Sequence, residues 1–170
     1  AHSWVMSHRN EIDAFIRYMQ LYGEQSVLLI DTYDSIDAVQ QIDAAGLRPA
    51  AVRLDSGDLV KESILVRSAL DAAGLCETRI FASGDLDEYS IGRLVNTQAP
   101  IDAFGVGTAL STSSDAPALS GVYKLVEIER DGLWSPTLKL SRGKATYPRI
   151  SRSVESDTRT PRVISITWRA

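Results

Sequence analysis

Val52-Arg53-Leu54-Asp55-Ser56-Gly57-Asp58 carries two opposite charges at alternate positions of an apolar run, then breaks into a glycine turn ending in an acid. Residues two apart on a strand point to the same face, so Arg53 and Asp55 share one face, and Val52 and Leu54 share the other. A strand buried on both sides and ending in a charged turn belongs to a parallel sheet, where the site forms at the carboxyl ends of the strands. Two readings of the charged pair stand. One is an internal salt bridge, a poor source of stability because both ions lose water; the other, which we favour, is a functional pair facing a barrel interior.

Working outward, comparable apolar runs occupy Val27 to Ile30, Ile80 to Ala82 and Ala103 to Val106. Helical patterns lie between them: Ile36, Val39 and Ile42; Ile64, Leu65 and Leu70; Ile91, Leu94 and Val95. Gly46 and Gly74 stand at the expected helix C-termini, and Asp34, Asp58 and Asp85 at the expected N-caps, Asp85 pairing with Glu88 as a capping box. Asp-Ala-Ala-Gly-Leu occurs at 43–47 and 71–75, and Ser-Gly-Asp-Leu at 56–59 and 83–86. Two words recurring at nearly one offset fit a repeated strand–helix unit. Alternating strands and helices imply an α/β fold with a parallel sheet, here an incomplete (β/α) barrel with unpaired edges. The opening at Ala1, without a Met or a preceding strand, leads us to expect part of a larger barrel.

Ahead of the first strand the spacing of Ile12, Phe15, Ile16 and Met19 predicts a helix over Ser7 to Leu21. Beyond Thr108, Val122 to Ile128 and Thr137 to Leu140 read as antiparallel strands joined through Asp131-Gly132. The expected organisation is a partial barrel over 1–121, antiparallel strands over 122–148 and an atypical tail over 149–170. The net charge is −4 overall but +3 from Arg149 onward, hence −7 before it. An acidic body argues against a nucleic-acid partner held by phosphate neutralisation. The absence of a long apolar span or a signal-like start gives the expectation of a cytoplasmic protein with no membrane partner. Cys76, the single cysteine, lacks metal-ligand spacing to any His and reads as an ordinary thiol.

The other strand ends supply Asp31-Thr32-Tyr33-Asp34, Ser83-Gly84-Asp85 and Gly105-Val106-Gly107-Thr108. Gly105 and Gly107 would admit an anion close to backbone amides, with Thr108 as a further donor; a tight turn with no ligand explains them equally well. Helix capping alone accounts for Asp58 and Asp85. On composition His2 and His8 have no informative context, and Trp4 and Phe15 read as helix-interface residues.

Ala1-His2-Ser3 with Val5-Met6-Ser7, Leu28-Leu29-Ile30-Asp31-Thr32-Tyr33-Asp34, Val52 to Leu59, Gly105 to Thr108 and Val122-Tyr123-Lys124-Leu125-Val126 together resemble motifs of the nicotinate phosphoribosyltransferases, in family order. The likeness extends to about Pro148 and then stops, as a shifted reading frame or a chimeric end would produce. The resemblance implies a barrel of the type II phosphoribosyltransferase kind. It also implies an enzyme of NAD salvage that joins nicotinate to 5-phosphoribosyl 1-pyrophosphate, with ATP hydrolysed through a phosphohistidine. His2 would be that histidine, and Arg53 and Asp55 would contact the pyridine carboxylate or the ribose, with catalytic roles. Ser83, Gly84 and Asp85 would bind substrate, Asp85 near the ribose hydroxyls, and Gly105, Gly107 and Thr108 would hold the 5-phosphate. Mg2+ would arrive with the phosphates, with no protein ligand named, and the complete enzyme would be a homodimer. These residues alone would be inactive. The competing readings are another pyridine phosphoribosyltransferase, using nicotinamide or quinolinate, and a non-catalytic sugar-phosphate-binding barrel.

Overall fold

Leu28, Ile30, Val52, Leu54 and Ile80 alternate with residues of the opposite face, and all five are 2% exposed or less. That alternation seats the helices on one side of the sheet and leaves the charged strand ends on the other. The computed structural model describes residues 2–112 and 125–137. Strands β1 (Val27–Leu29), β2 (Ala51–Leu54), β3 (Arg79–Ala82) and β4 (Ala103–Phe104) form one parallel sheet in the order β1-β2-β3-β4. Each strand lies beside its predecessor, as in a barrel wound in one direction. Among the described residues β1 and β4 pair on one side only.

The helices are α1 (His2–Met6), α2 (Glu11–Tyr22), α3 (Ser35–Ala44), α4 (Leu59–Ala72), α5 (Glu88–Asn96) and the single turn α6 (Thr108–Ser111). Phe15 of α2, Val39 and Ile42 of α3, and Val66 and Leu70 of α4 close over the sheet in one core. A smaller cluster of Ala82, Leu86 and Leu94 continues it under α5. The repeated Asp-Ala-Ala-Gly-Leu word is one helix terminator used twice. Gly46 and Gly74 take φ of +67° and +69°. The Leu47 and Leu75 amides then reach back to the carbonyls of Ile42 and Leu70, and Leu75 is buried.

Four expectations are corrected. The helix over Ser7 to Leu21 begins at Glu11, because Asn10 in extended conformation accepts from the Asp13 amide and caps it; residues 2–6 form a separate short helix. Asp34 and Asp58 are N-caps, but Asp85 is not. With Gly84 at φ +97° and Asp85 at +51°, the chain is still turning at 85, and Asp87 caps α5 in a box with Ser90 rather than Glu88. The run at Ala103 to Val106 gives a two-residue strand, although the Gly105 amide still bonds the Ala82 carbonyl at 2.8 Å.

Finally, Asp131 and Gly132, at φ +53° and +79°, make a two-residue turn of the type that matches strand twist. It joins β5 (Glu127–Arg130) directly to β6 (Leu133–Pro136). The second hairpin strand therefore starts at Leu133, earlier than the expected Thr137. Residues 122–124 and 138–140 of the expected strands, and the tail from Arg149, lie outside the described residues. No helix of the described residues is long and apolar enough to cross a membrane.

Candidate active site

Parallel register fixes which strand-end residues meet. Leu29 pairs with Arg53, and Arg53 with Phe81, so two residues further on Asp31, Asp55 and Ser83 come level on the face opposite the helices. Asp31, 7% exposed, accepts at Oδ2 from the Asp55 amide (2.9 Å) and the Ser56 hydroxyl (2.7 Å). The Ser83 hydroxyl donates to Asp55 Oδ1 at 2.6 Å and accepts from Arg53 Nε at 2.8 Å. Arg53 Nη2 donates to the same Asp55 oxygen at 2.6 Å. Arg53 and Asp55 thus do share a face, as their alternation required.

The expectation that their charges face a ligand rather than a partner is corrected in part, because they are paired with each other. The pair is not deeply buried, however: the side chains are 34% and 21% exposed. Partial burial pushes the Asp55 pKa up. Hydrogen bonding from His2, Ser83 and Arg53, with the guanidinium charge, outweighs this and holds the carboxyl well below the usual carboxylate range. Asp55 is an anion throughout the neutral range.

His2, at the start of α1, reaches the same cluster. Its Nδ1 lies 3.0 Å from Thr32 Oγ1, and its Nε2 lies 3.8 Å from Asp31 Oδ1 and 3.7 Å from Asp55 Oδ2. A residue without informative context in the sequence thereby stands between two carboxylates. Asp31 and Thr32 were placed at a strand end by the sequence but given no role there. The signal that could have found them is register, since Asp31 occupies on β1 the place that Asp55 occupies on β2.

The glycines divide by physical cause. A Cβ on Gly84 would lie 2.1 Å from the Asp55 carbonyl oxygen, and one on Gly105 2.8 Å from the Phe81 ring. Both glycines therefore allow close approach of strand ends. At Gly107 a Cβ would meet nothing within 4 Å, so packing does not require that glycine. Thr108 opens α6 and is exposed, and Asp85 is exposed at the end of β3. The structure brings His2, Arg53, Asp55 and Ser83 into contact. No set of three or more His, Cys, Asp or Glu side chains among the described residues is placed to hold a metal ion.

No family model matches this chain. It is 44% identical over 154 residues to a nicotinate phosphoribosyltransferase of Mycobacterium tuberculosis and 42% identical over 157 residues to that of Bacillus subtilis, each match taking in 87% of this chain. It spans 32% of each relative's length. The crystal structure of a nicotinate phosphoribosyltransferase from Porphyromonas gingivalis matches the fold with a TM-score of 0.69 at 22% identity, over 86% of this chain and 42% of that one.

Proposed function

This chain belongs to the nicotinate phosphoribosyltransferase family, spanning about a third of its relatives' length, and from that premise we propose that its strand ends carry the reaction centre of an ATP-coupled enzyme. That enzyme joins nicotinate to 5-phosphoribosyl 1-pyrophosphate and releases nicotinate mononucleotide and pyrophosphate, in the cytoplasm. The observation that carries the proposal is the shared carboxylate. Asp55 faces the His2 imidazole with one oxygen and the Arg53 guanidinium with the other.

His2 accepts a phosphoryl group from ATP. With the ring oriented by the Nδ1–Thr32 contact, the imidazole nitrogen that carries the lone pair forms the nitrogen–phosphorus bond as the bond to ADP breaks. Asp31 and Asp55 stabilise the positive charge that the ring then acquires. Arg53 has Nε and Nη2 engaged by Ser83 and Asp55, which fixes the plane of the guanidinium and turns the remaining edge toward a planar carboxylate such as that of nicotinate. In the ribosyl transfer the sugar carbon gains positive character as pyrophosphate leaves, so the chain's contribution is placement and electrostatics. Asp55 supplies negative charge, and Ser83, Gly84 and Asp85 border the ribose. Gly105, Gly107 and Thr108 offer amides and a hydroxyl to the 5-phosphate, and the open space at Gly107 supports this. Magnesium enters with the phosphates of the substrates. No ligand set for a protein-held ion assembles among the described residues.

Incubating a full-length enzyme that carries these 170 residues with γ-labelled ATP tests the reading. Label is expected on His2, lost in His2→Asn, together with ATP stimulation of nicotinate mononucleotide formation. The absence of both label and stimulation would refute the coupled mechanism.

Asp55→Asn should lower kcat/KM by about 10²-fold, the scale of losing one positioned charge in a reaction centre. Because the pair is partly exposed, stability should change by only about 1 kcal/mol. Steady-state kinetics and thermal unfolding of the same variant check both halves. A large fall in Tm with activity per folded molecule intact would show the pair to be structural.

A further inference from the structure

Helix α1 has five residues, too few to persist without tertiary contacts. Its orientation decides where the His2 imidazole lies. The Trp4 indole bonds the Ala14 carbonyl at 3.3 Å and ties the middle of α1 to α2. At its far end the chain turns through Ser7 and His8, and the last carbonyls of a helix need donors from elsewhere. The Ser7 and His8 amides meet the carbonyls of Ser3, Trp4 and Val5, and the β5–β6 hairpin supplies the donor for the Met6 and His8 carbonyls that follow. Arg130 Nη2 donates to the His8 carbonyl at 2.6 Å and lies 3.5 Å from that of Met6. A charged donor on a backbone carbonyl at that distance is among the stronger hydrogen bonds. Arg130 is the last residue of β5, immediately before the Asp131-Gly132 turn, so the turn that sets the hairpin register also aims this side chain. The neighbouring Arg9–Asp131 pair, 3.8 Å long with both partners mostly exposed, adds little.

We infer that Arg130 is a positioning residue for His2: its guanidinium clamps the carbonyl end of α1 and thereby holds the imidazole against Thr32 and between Asp31 and Asp55. The inference rests on the reading of His2 as the phosphoryl acceptor. It gives the hairpin a specific task at the site, and the contact spans 122 residues of sequence.

The test uses Arg130→Met and Arg130→Lys in a full-length enzyme carrying this sequence, with two readouts. First, labelling of His2 by γ-labelled ATP should slow by about tenfold in Arg130→Met, since a displaced nucleophile loses rate steeply with distance. Nucleotide formation measured without ATP should keep its kcat, because Arg53 and Asp55 are held by Ser83 and Asp31. Arg130→Lys should recover most of the labelling rate, as one ammonium can still reach the His8 carbonyl. Second, the His2 ring proton bonded to Thr32 should give a protected imidazole signal in nitrogen-correlated NMR spectra of the parent enzyme, broadened in Arg130→Met and restored in Arg130→Lys. An unchanged labelling rate, or a fall in both reactions in step, would overturn the positioning role. If the parent enzyme takes no label, the reading of His2 fails on its own, and the NMR comparison alone decides the clamp: an unaltered imidazole signal in Arg130→Met refutes it.

Discussion

Gly84→Ala should destabilise the protein by roughly 3–5 kcal/mol and disorder Asp55 and Arg53 together, the range reached when a residue is forced into both strain and overlap. Gly84 sits at φ +97°, outside the regions an alanine adopts without strain, and the added Cβ would stand 2.1 Å from the Asp55 carbonyl oxygen. The obstruction is backbone, so no side-chain rotation relieves it. The Asp55 turn must move, and with it the carboxylate that links Arg53, Ser83 and His2. Gly107→Ala is the matched comparison: at φ −110° with nothing within 4 Å, it should change stability by no more than about 0.5 kcal/mol. If Gly107 serves the 5-phosphate, its variant should instead raise the KM for 5-phosphoribosyl 1-pyrophosphate. Thermal unfolding of the two variants side by side checks the contrast, and equal losses of stability would contradict the packing account of Gly84.

The second large effect concerns Glu11, in the first turn of α2. It is 5% exposed, and its buried Oε1 has no hydrogen-bond partner among the described residues. Burial, followed by the negative charges of Asp37, Asp31 and Asp34, pushes its pKa up to about 8 from 4.5. The sign follows from proton linkage. Below about pH 4.5 the carboxyl is neutral in both states and costs nothing. Between 4.5 and 8 the unfolded chain ionises while the folded protein keeps its proton, so stability falls with rising pH and levels off above 8. The full difference is on the order of 5 kcal/mol, at about 1.4 kcal/mol per unit of pKa. Glu11→Gln keeps the shape and removes the titration. It should match the parent near pH 4, exceed it increasingly toward pH 8, and flatten the slope between. Denaturant unfolding at several pH values measures this; parallel pH profiles for the two proteins would contradict it. Asp55 acts in the opposite sense, because its lowered pKa contributes stability above the ordinary carboxylate range that is lost only as the solution becomes strongly acid.

Much of the fold was legible in sequence because its signals are local. A repeated Asp-Ala-Ala-Gly-Leu word ends two helices in the same way, since only the glycine accepts the left-handed turn and the following leucine packs back. Alternation along Val52 to Asp55 foretold that Arg53 and Asp55 would share a face. The other repeated word misled. Ser-Gly-Asp-Leu at 56–59 leads straight into a capped helix, whereas at 83–86 the same letters turn through two positive-φ residues, because Gly84 is pressed against the Asp55 carbonyl of the neighbouring strand. Identical residues met different neighbours.

The sequence by itself determined the βα alternation, the helix stops, the hairpin turn and the shared face of Arg53 and Asp55, all set by backbone preference and side-chain period over a few residues. His2 was placed in the chemistry by resemblance alone. Only the tertiary structure decided that Asp31 and Asp55 stand level, that His2 lies between them, that Glu11 is sealed from water and that Arg130 grips the end of α1. Each depends on strand register or on contacts tens to more than a hundred residues apart, where geometry and the loss of solvent, rather than local pattern, fix the charge and position of a side chain.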